Sequence, residues 1–414
     1  MNFDMMSYEP KGDKKNSDFF NEYRLKIYGR REESGLSEML GGMKGIVIQV
    51  QHGDALAYLE ELYSMSPYRF DCARLNDTHK VYFLSSKPEQ PRLIVLEPLS
   101  DDYQDDLTRL NMLYPKARPK PHARYVGEIY HTKDLAETRR VLESHEIRFH
   151  ERGEERDPFF ANQNFAFTVP SDFTGNRIGY AAIDLDPGAI DFGQRLELTD
   201  AQRARLDAAE EQSSEAGISE LLRGPDHMAT RILAGEREDA ILEFLTMSSY
   251  YFWGAYNIKD MNSSTNVNRN PNINDETLSP AKVFTANNTP SFVNSFEGRP
   301  MPTEDFVRNY GRRMHHIAYE VRDGDHPSGQ KNIDYVVEKL KSFGIPFLAH
   351  VVGSCGEEPD LKQIFSKHSD YSILITEYVE RCHGFEGFFT KSNVAALTEA
   401  AGLDERYEHG HVFD

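Results

Sequence analysis

A chain of 414 residues, 39% hydrophobic and 11% aromatic, holds enough apolar material for more than one packed core, and its length suggests two or three domains. Its 67 acidic residues outnumber 47 basic ones, and the net charge of −20 argues against nucleic acid as a main partner. No stretch approaches the ~18 apolar residues of a membrane span, and the first residues lack a leader's basic flank and apolar run. Cys72, Cys355 and Cys382 lie far apart and form no CxxC pair, which fits a reducing cytoplasm rather than a disulfide framework or zinc ribbon.

Residues 1–42 are polar and charged, an N-terminal extension whose one apolar-periodic stretch, Phe19 to Ile27, suits a short helix. Regular patterning starts at Met43, with a strand over Lys44–Val50, a helix over 54–63 with Asp54 as N-cap, and strands near Lys80–Ser85 and Arg92–Leu96. The order recurs as a strand at Arg124–Tyr130, a helix at Lys133–Glu146, and strands near Ile147–His150, Phe165–Val169 and Tyr180–Asp184. Residues 196–222, rich in Ala, Glu and Arg, read as a linker helix. A third round begins at His227, with a helix at Arg237–Met247, an aromatic run Tyr250–Tyr256 and a strand at Lys282–Ala286. A fourth begins at Met314, with a helix at Asn332–Phe343 and strands at Pro346–Val352, Leu361–Ser366 and Ile373–Tyr378. Four copies of one element order predict an α+β fold of four β-α-β-β-β modules, two in a domain over 43–195 and two in a domain over 223–402. The Asn-rich stretch 257–278 has no apolar period and reads as a surface loop, and residues 403–414 as a charged tail.

Two histidines and a carboxylate carry the chemistry. His227 opens a predicted strand after Gly224-Pro225-Asp226, and His316 sits within the strand that begins at Met314. Glu377 is flanked by Ile375 and Val379, where a carboxylate is costly to bury unless paired or bound to metal. Side chains alternate along a strand, so His316, Ala318 and Glu320 share one face and His315 the other; only one of the adjacent histidines is expected in a given pocket. Two imidazoles and one carboxylate can hold one face of an Fe(II) ion and leave the other to a bidentate substrate and dioxygen. The plain alternatives are a core or surface histidine and a solvent-facing strand glutamate.

The motifs Asp226-His227, His316-Ile317-Ala318, Gln363-Ile364-Phe365-Ser366-Lys367, Glu377-Tyr378-Val379-Glu380-Arg381, Gly384-Phe385 and Ser392-Asn393 occur in that order across residues 224–400. Together they resemble 4-hydroxyphenylpyruvate dioxygenase, an Fe(II) enzyme of the vicinal oxygen chelate superfamily. The resemblance implies modules paired into two open-barrel domains, the N-terminal one non-catalytic. It implies iron ligands His227, His316 and Glu377, dioxygen as co-substrate, and a small-molecule 2-oxo acid that is decarboxylated and oxygenated in the same molecule. A homo-oligomer, dimer or tetramer, is also implied. Gln363 would donate a hydrogen bond into the pocket, lined further by Phe365, Phe385, Phe389, Asn393 and Val394. Core packing is an equal reading for Phe365, Phe385, Phe388 and Phe389, and capping the last helix is the alternative for Asn393. His315 and His383 are candidates to orient the ligand histidines.

Departures fall where substrate is held. His315 stands where the family has glutamine, Val394 and Thr398 where it has phenylalanine, and 293–300 replace a Pro-rich stretch. Losing two ring-clamping aromatics argues that hydroxyphenylpyruvate is not the substrate. The alternatives are extradiol cleavage of a catechol, with His383 and Tyr378 in support, and a metal-free small-molecule-binding protein of the same superfamily.

Overall fold

A computed structural model describes residues 3–151, 159, 162–186, 191–271, 278–291 and 300–402. Strand β1 (Lys11–Gly12) and a helix, Lys14–Glu33, precede the first module, which contains β2 (Leu40–Gln49), the helix Ala55–Met65, β3 (Arg69–Leu75), β4 (His79–Ser85) and β5 (Arg92–Pro98). The second has β6 (Arg124–Thr132), the helix Leu135–Ser144, β7 (Phe165–Phe167) and β8 (Arg177–Ala181). After β9 (Gln194–Leu196) and the helix Asp200–Glu215, the third has β10 (Leu222–Arg231), the helix Arg237–Met247, β11 (Tyr251–Ile258), β12 (Ser263–Arg269) and β13 (Ala281–Asn287). The helix Pro302–Tyr310 leads to the fourth, with β14 (Arg313–Val321), the helix Asn332–Ser342, β15 (Val352–Gly353), β16 (Asp360–His368), β17 (Ile375–Cys382) and the final helix Lys391–Gly402.

The described strands form two curled open sheets, one ordered β7-β8-β6-β2-β5-β4-β3-β9 and the other β1-β11-β12-β13-β10-β14-β17-β16-β15. In each sheet two modules meet through antiparallel pairing of their first strands, β2 with β6 and β10 with β14. Each first strand is flanked on its other side by a parallel strand of its own module: β5, β8, β13 or β17. That is the predicted four-module α+β architecture. The halves share one large apolar cluster. Polar ties reinforce the contact: Lys282 Nζ lies 2.8 Å from Glu128 Oε1, and Tyr378 Oη donates to Met65 O at 2.8 Å.

Several local expectations are corrected. Strand β3 escaped the pattern because its sequence alternates poorly and only Ala73 is fully buried. Asp54 makes no side-chain cap bond. Residues 147–150 contribute only the bridge Phe149↔Thr168, and 346–352 only the bridge Phe347↔Ser366 and the start of β15. The N-terminal extension is built into the fold: β1 pairs with β11, and Arg31 donates to Leu245 O at 3.1 Å and Tyr250 O at 2.7 Å.

The Asn-rich stretch is not a loop throughout. Its middle is the buried strand β12, whose amides reach the next strand, Asn266 to Phe284 O at 3.1 Å and Asn268 to Lys282 O at 3.2 Å. Polar side chains satisfied in this way hide a buried strand from any reading of apolar period. The rest of that stretch over 272–277, most of 293–300, and the tail 403–414 lie outside the described residues. The expectation of unpaired cysteines is corrected for two of the three: Cys355 and buried Cys382 are joined as a disulfide with Cα atoms 5.6 Å apart, while Cys72 is free. Among the described residues no helix is long and apolar enough to cross a membrane.

Candidate metal centre

His227, Ala318 and Glu377 stand in one row across β10, β14 and β17. Residues opposite one another in a sheet face the same side, and His316, two positions from Ala318, shares that face. The small Ala318 methyl leaves room for the longer side chains to converge above it. His227 lies within β10 rather than at its start. Its Nε2 is 3.0 Å from Glu377 Oε2, and His316 Nε2 is 3.2 Å from the same oxygen. All three residues are buried, and their ligand atoms lie within 4.8 Å of one another.

Beside them the strand is irregular. Ala229 pairs with His316 but Thr230 with Met314, so β14 carries an extra residue, His315. Such a bulge re-aims a side chain. His315 therefore lines the same cavity as His316, contrary to the simple alternation expected for adjacent residues.

Each ligand atom is held from behind. His227 Nδ1 lies 2.8 Å from Asp226 Oδ1, and Arg381 grips Asp226 in a fork of 2.7 and 2.8 Å. Burial opposes the Asp226 charge, but Arg381 outweighs it and holds the carboxyl well below the usual range. Burial likewise opposes charge on His227, yet Glu377 and Asp226 lift it to about 9 without a metal. His316 Nδ1 lies 2.8 Å from His315 Nδ1, and burial, then neighbouring cationic groups, keeps both histidines well below their ordinary value. A neutral imidazole has one proton, so if Nε2 keeps its lone pair for a metal, Nδ1–H donates, to Asp226 in one case and to His315 in the other. Gln363 Nε2 donates to Glu377 Oε1 at 2.6 Å, leaving Oε2 toward the histidines. Asn393 donates to Gln363 Oε1 at 3.2 Å and to Leu361 O at 2.8 Å. It lies inside the last helix, so it is not that helix's cap.

His227 Nε2 is a buried nitrogen that, despite its nearness to Glu377, has no aligned hydrogen bond. Two imidazole nitrogens and a carboxylate oxygen aimed at one point form a donor set that fits a divalent first-row ion such as Fe(II), which would take the place of the proton on His227 Nε2.

Gln363, Phe365, Phe389 and Val394 line a cavity of about 60 Å3 beside the three candidate ligands. The Phe365 ring is 4.9 Å from that of His316, and the Phe389 ring 5.1 Å from that of His227. Asn393 stands behind Gln363 rather than in the lining. Phe385 belongs instead to an adjoining cavity of about 600 Å3, with Trp253 and Tyr256, and Phe388 lies between, 5.7 Å from the His227 ring. His383 contacts Gly356 O, and Tyr378 points to Met65, so neither reaches the centre. Sequence reasoning did not single out Arg231, Thr265, Thr285 and Thr303, which share the lining. The alternation His227, Ala229, Arg231 along β10 was the signal for the first of these.

No family model and no curated relative matches the sequence. Solved structures do match its fold. A variant of 4-hydroxymandelate synthase from Streptomyces coelicolor aligns over 87% of this chain and 98% of its own, with a TM-score of 0.56 and 16% identity. The chain has the vicinal oxygen chelate fold. A xylose isomerase-like TIM barrel/4-hydroxyphenylpyruvate dioxygenase fusion protein aligns over 92% of this chain, which spans 58% of the fusion, with a TM-score of 0.53 and 10% identity. Within this fold the candidate ligands all lie on the C-terminal sheet.

Proposed function

We propose that the protein is a non-haem Fe(II) dioxygenase that oxidatively decarboxylates a 2-oxo acid and oxygenates the same molecule, with a substrate other than hydroxyphenylpyruvate. The observation that carries this reading is the convergence of His227, His316 and Glu377 on one side of a point whose other side opens into the cavity. Two imidazoles and a carboxylate leave iron open positions for the carboxylate and keto oxygens of a 2-oxo acid and for dioxygen. When bound, the metal supplies the redox chemistry that activates dioxygen.

The chain's own residues do the rest. Asp226 and His315 keep a proton on the Nδ1 of each ligand histidine, so Nε2 remains a donor. Gln363 fixes the carboxylate of Glu377, and Asn393 fixes Gln363. Phe365, Phe389, Val394 and Leu397 give the cavity apolar faces that exclude water from the reacting carbon. One oxygen atom ends in the new carboxylate and the other on the carbon skeleton as CO2 leaves, so the substrate itself supplies the electrons. Val394 and Thr398, where the resembled family has phenylalanine, favour a substrate without a clamped ring.

Oxygen uptake and CO2 release by Fe(II)-loaded protein, across aromatic and aliphatic 2-oxo acids with no second co-substrate, test the reading. Equimolar uptake and release with one acid supports it. Silence with iron bound points to catechol cleavage, and silence without bound iron to a metal-free binding protein.

A further inference from the structure

One part of the cavity lining is built from hydroxyls. Ser263 and Thr265 on β12, Thr285 on β13 and Thr303 in the first turn of the helix Pro302–Tyr310 all contribute to it. Ser263 and Thr265 are alternate residues of one strand and share its face, and Thr265 stands directly opposite Thr285. Thr285 in turn lies two residues along β13 from Val283, which is in the row of Ala229 and His316, a rise of about 7 Å. Ser263, Thr265 and Thr303 are only 3–4% exposed, yet among the described residues their hydroxyls make no hydrogen bond. Thr285 has one long contact, 3.4 Å to Thr230 O. The same strand satisfies its other polar side chains: the amide nitrogens of Asn266 and Asn268 donate to Phe284 O and Lys282 O. The hydroxyls left over are those that face the cavity. A substrate that excludes water from them must itself supply the missing partners, because a buried hydroxyl left without one is costly.

Resting on the 2-oxo acid reading, we propose that the substrate is an aliphatic 2-oxo acid whose chain carries hydroxyl groups beyond the keto carbon. Thr265, flanked by Ser263 and Thr285, receives those hydroxyls together with Thr303. An alcohol suits the role because it donates and accepts, as each of these side chains does. A bare alkyl chain or an unsubstituted ring would leave them all unpaired. The carbon atoms of a hydroxylated chain still present C–H groups, which the rings of Phe365 and Phe389 can cover.

The test is anaerobic calorimetric titration of the Fe(II)-loaded protein with 4-hydroxy-2-oxopentanoate, 2-oxopentanoate and phenylpyruvate, in wild type, in Thr265→Val and in Thr303→Val. Valine keeps the shape of threonine and removes only the hydroxyl, so both variants should fold. We expect wild type to bind the hydroxylated acid roughly three- to tenfold more tightly than its chain-length match 2-oxopentanoate. Thr265→Val should bring the two together by weakening only the hydroxylated acid, and Thr303→Val should narrow the gap in part. Equal binding of the two aliphatic acids by wild type, tighter binding of phenylpyruvate, or a preference that survives both substitutions would overturn the hydroxylated-chain proposal and leave the 2-oxo acid reading standing. No binding of any of the three would overturn both.

Discussion

The two halves repeat one backbone and differ in what hangs from it. In the C-terminal sheet the row His227–Ala318–Glu377 puts two long polar side chains either side of a methyl. The matching row in the N-terminal sheet is Gly45–Ile129–Gly179, large and small exchanged. The register is the same: parallel pairing of the first strand begins at Gly45 with Arg92 and at His227 with Ala281. Gly127 stands where the C-terminal half has His316. Even the bulge recurs, since Val47 pairs with Gly127 and Ile48 with Tyr125, leaving Val126 in the place of His315. The space that would receive side chains is filled. A Cβ on Gly45 would meet Leu185 at 2.7 Å, and one on Gly179 would strike the Phe167 ring. Phe167 is itself the counterpart of Phe365, each opposite the corresponding residue of the neighbouring strand. The fold thus supplies a frame and side-chain volume decides its use: in one half a cavity with donors, in the other a small apolar core.

The largest predicted effect removes the difference at its centre. Glu377→Ala leaves two imidazoles without their carboxylate, as the N-terminal half has none, and should abolish retention of iron through gel filtration and with it any turnover. Circular dichroism and the melting curve should match those of iron-free wild type, because the role proposed for Glu377 is to hold an ion rather than to pack a core. Iron retained at wild-type stoichiometry would sink the assignment of the centre. The converse experiment is Phe167→Ala, which opens the filled half. That change should cost about 3–5 kcal/mol in denaturant unfolding while iron binding persists, as for other buried phenylalanines. A loss under about 1 kcal/mol would mean that this half is not packed as a core.

A second difference lies behind the ligands. Asp226 and Arg381 have Lys44 and Ile183 at the corresponding N-terminal positions, so this ion pair belongs to the C-terminal half alone. Asp226→Asn removes the charge while keeping the shape. It should weaken iron binding roughly ten- to a hundredfold, read by competition with a chelator, with a smaller effect on folding. Unchanged affinity would reduce the Asp226–Arg381 pair to a structural ion pair.

Much of this was legible in residue order. The strand carrying His316 and the one carrying Glu377 stand out by their apolar alternation, and the helix Arg237–Met247 has the bounds its pattern predicts. What escaped did so for identifiable reasons. Strand β12 is polar because its asparagines bond to a neighbouring backbone, so no apolar period marks it. The turning of His315 into the cavity depends on a bulge, a property of pairing between β10 and β14 that one strand's sequence does not carry. Arg231 stands beside Thr265 and Thr285 only through the pairing of three strands, which the sequence of β10 alone does not carry. The Cys355–Cys382 pair joins residues 27 apart, which spacing alone does not signal.

The smallest predicted effect concerns where the two halves meet. Glu61, on the helix Ala55–Met65 of the N-terminal half, faces Ser369 and Asp370 of the C-terminal half; burial, with Asp370 adding to it, raises its carboxyl to about 7. The folded protein then keeps a proton that the unfolded chain releases near pH 4.5. Stability from this group is fully present below about 4.5 and is lost as pH rises through about 7. Because the residue keeps partial contact with solvent, the expected contribution is modest, about 1–2 kcal/mol across that window. Glu61→Gln holds the neutral form at every pH and should flatten the fall in unfolding free energy between pH 5 and 7, raising stability at neutral pH by that amount. Denaturant curves at several pH values measure it. A slope unchanged by the substitution would mean that Glu61 ionises freely and that the contact between the halves is indifferent to its charge.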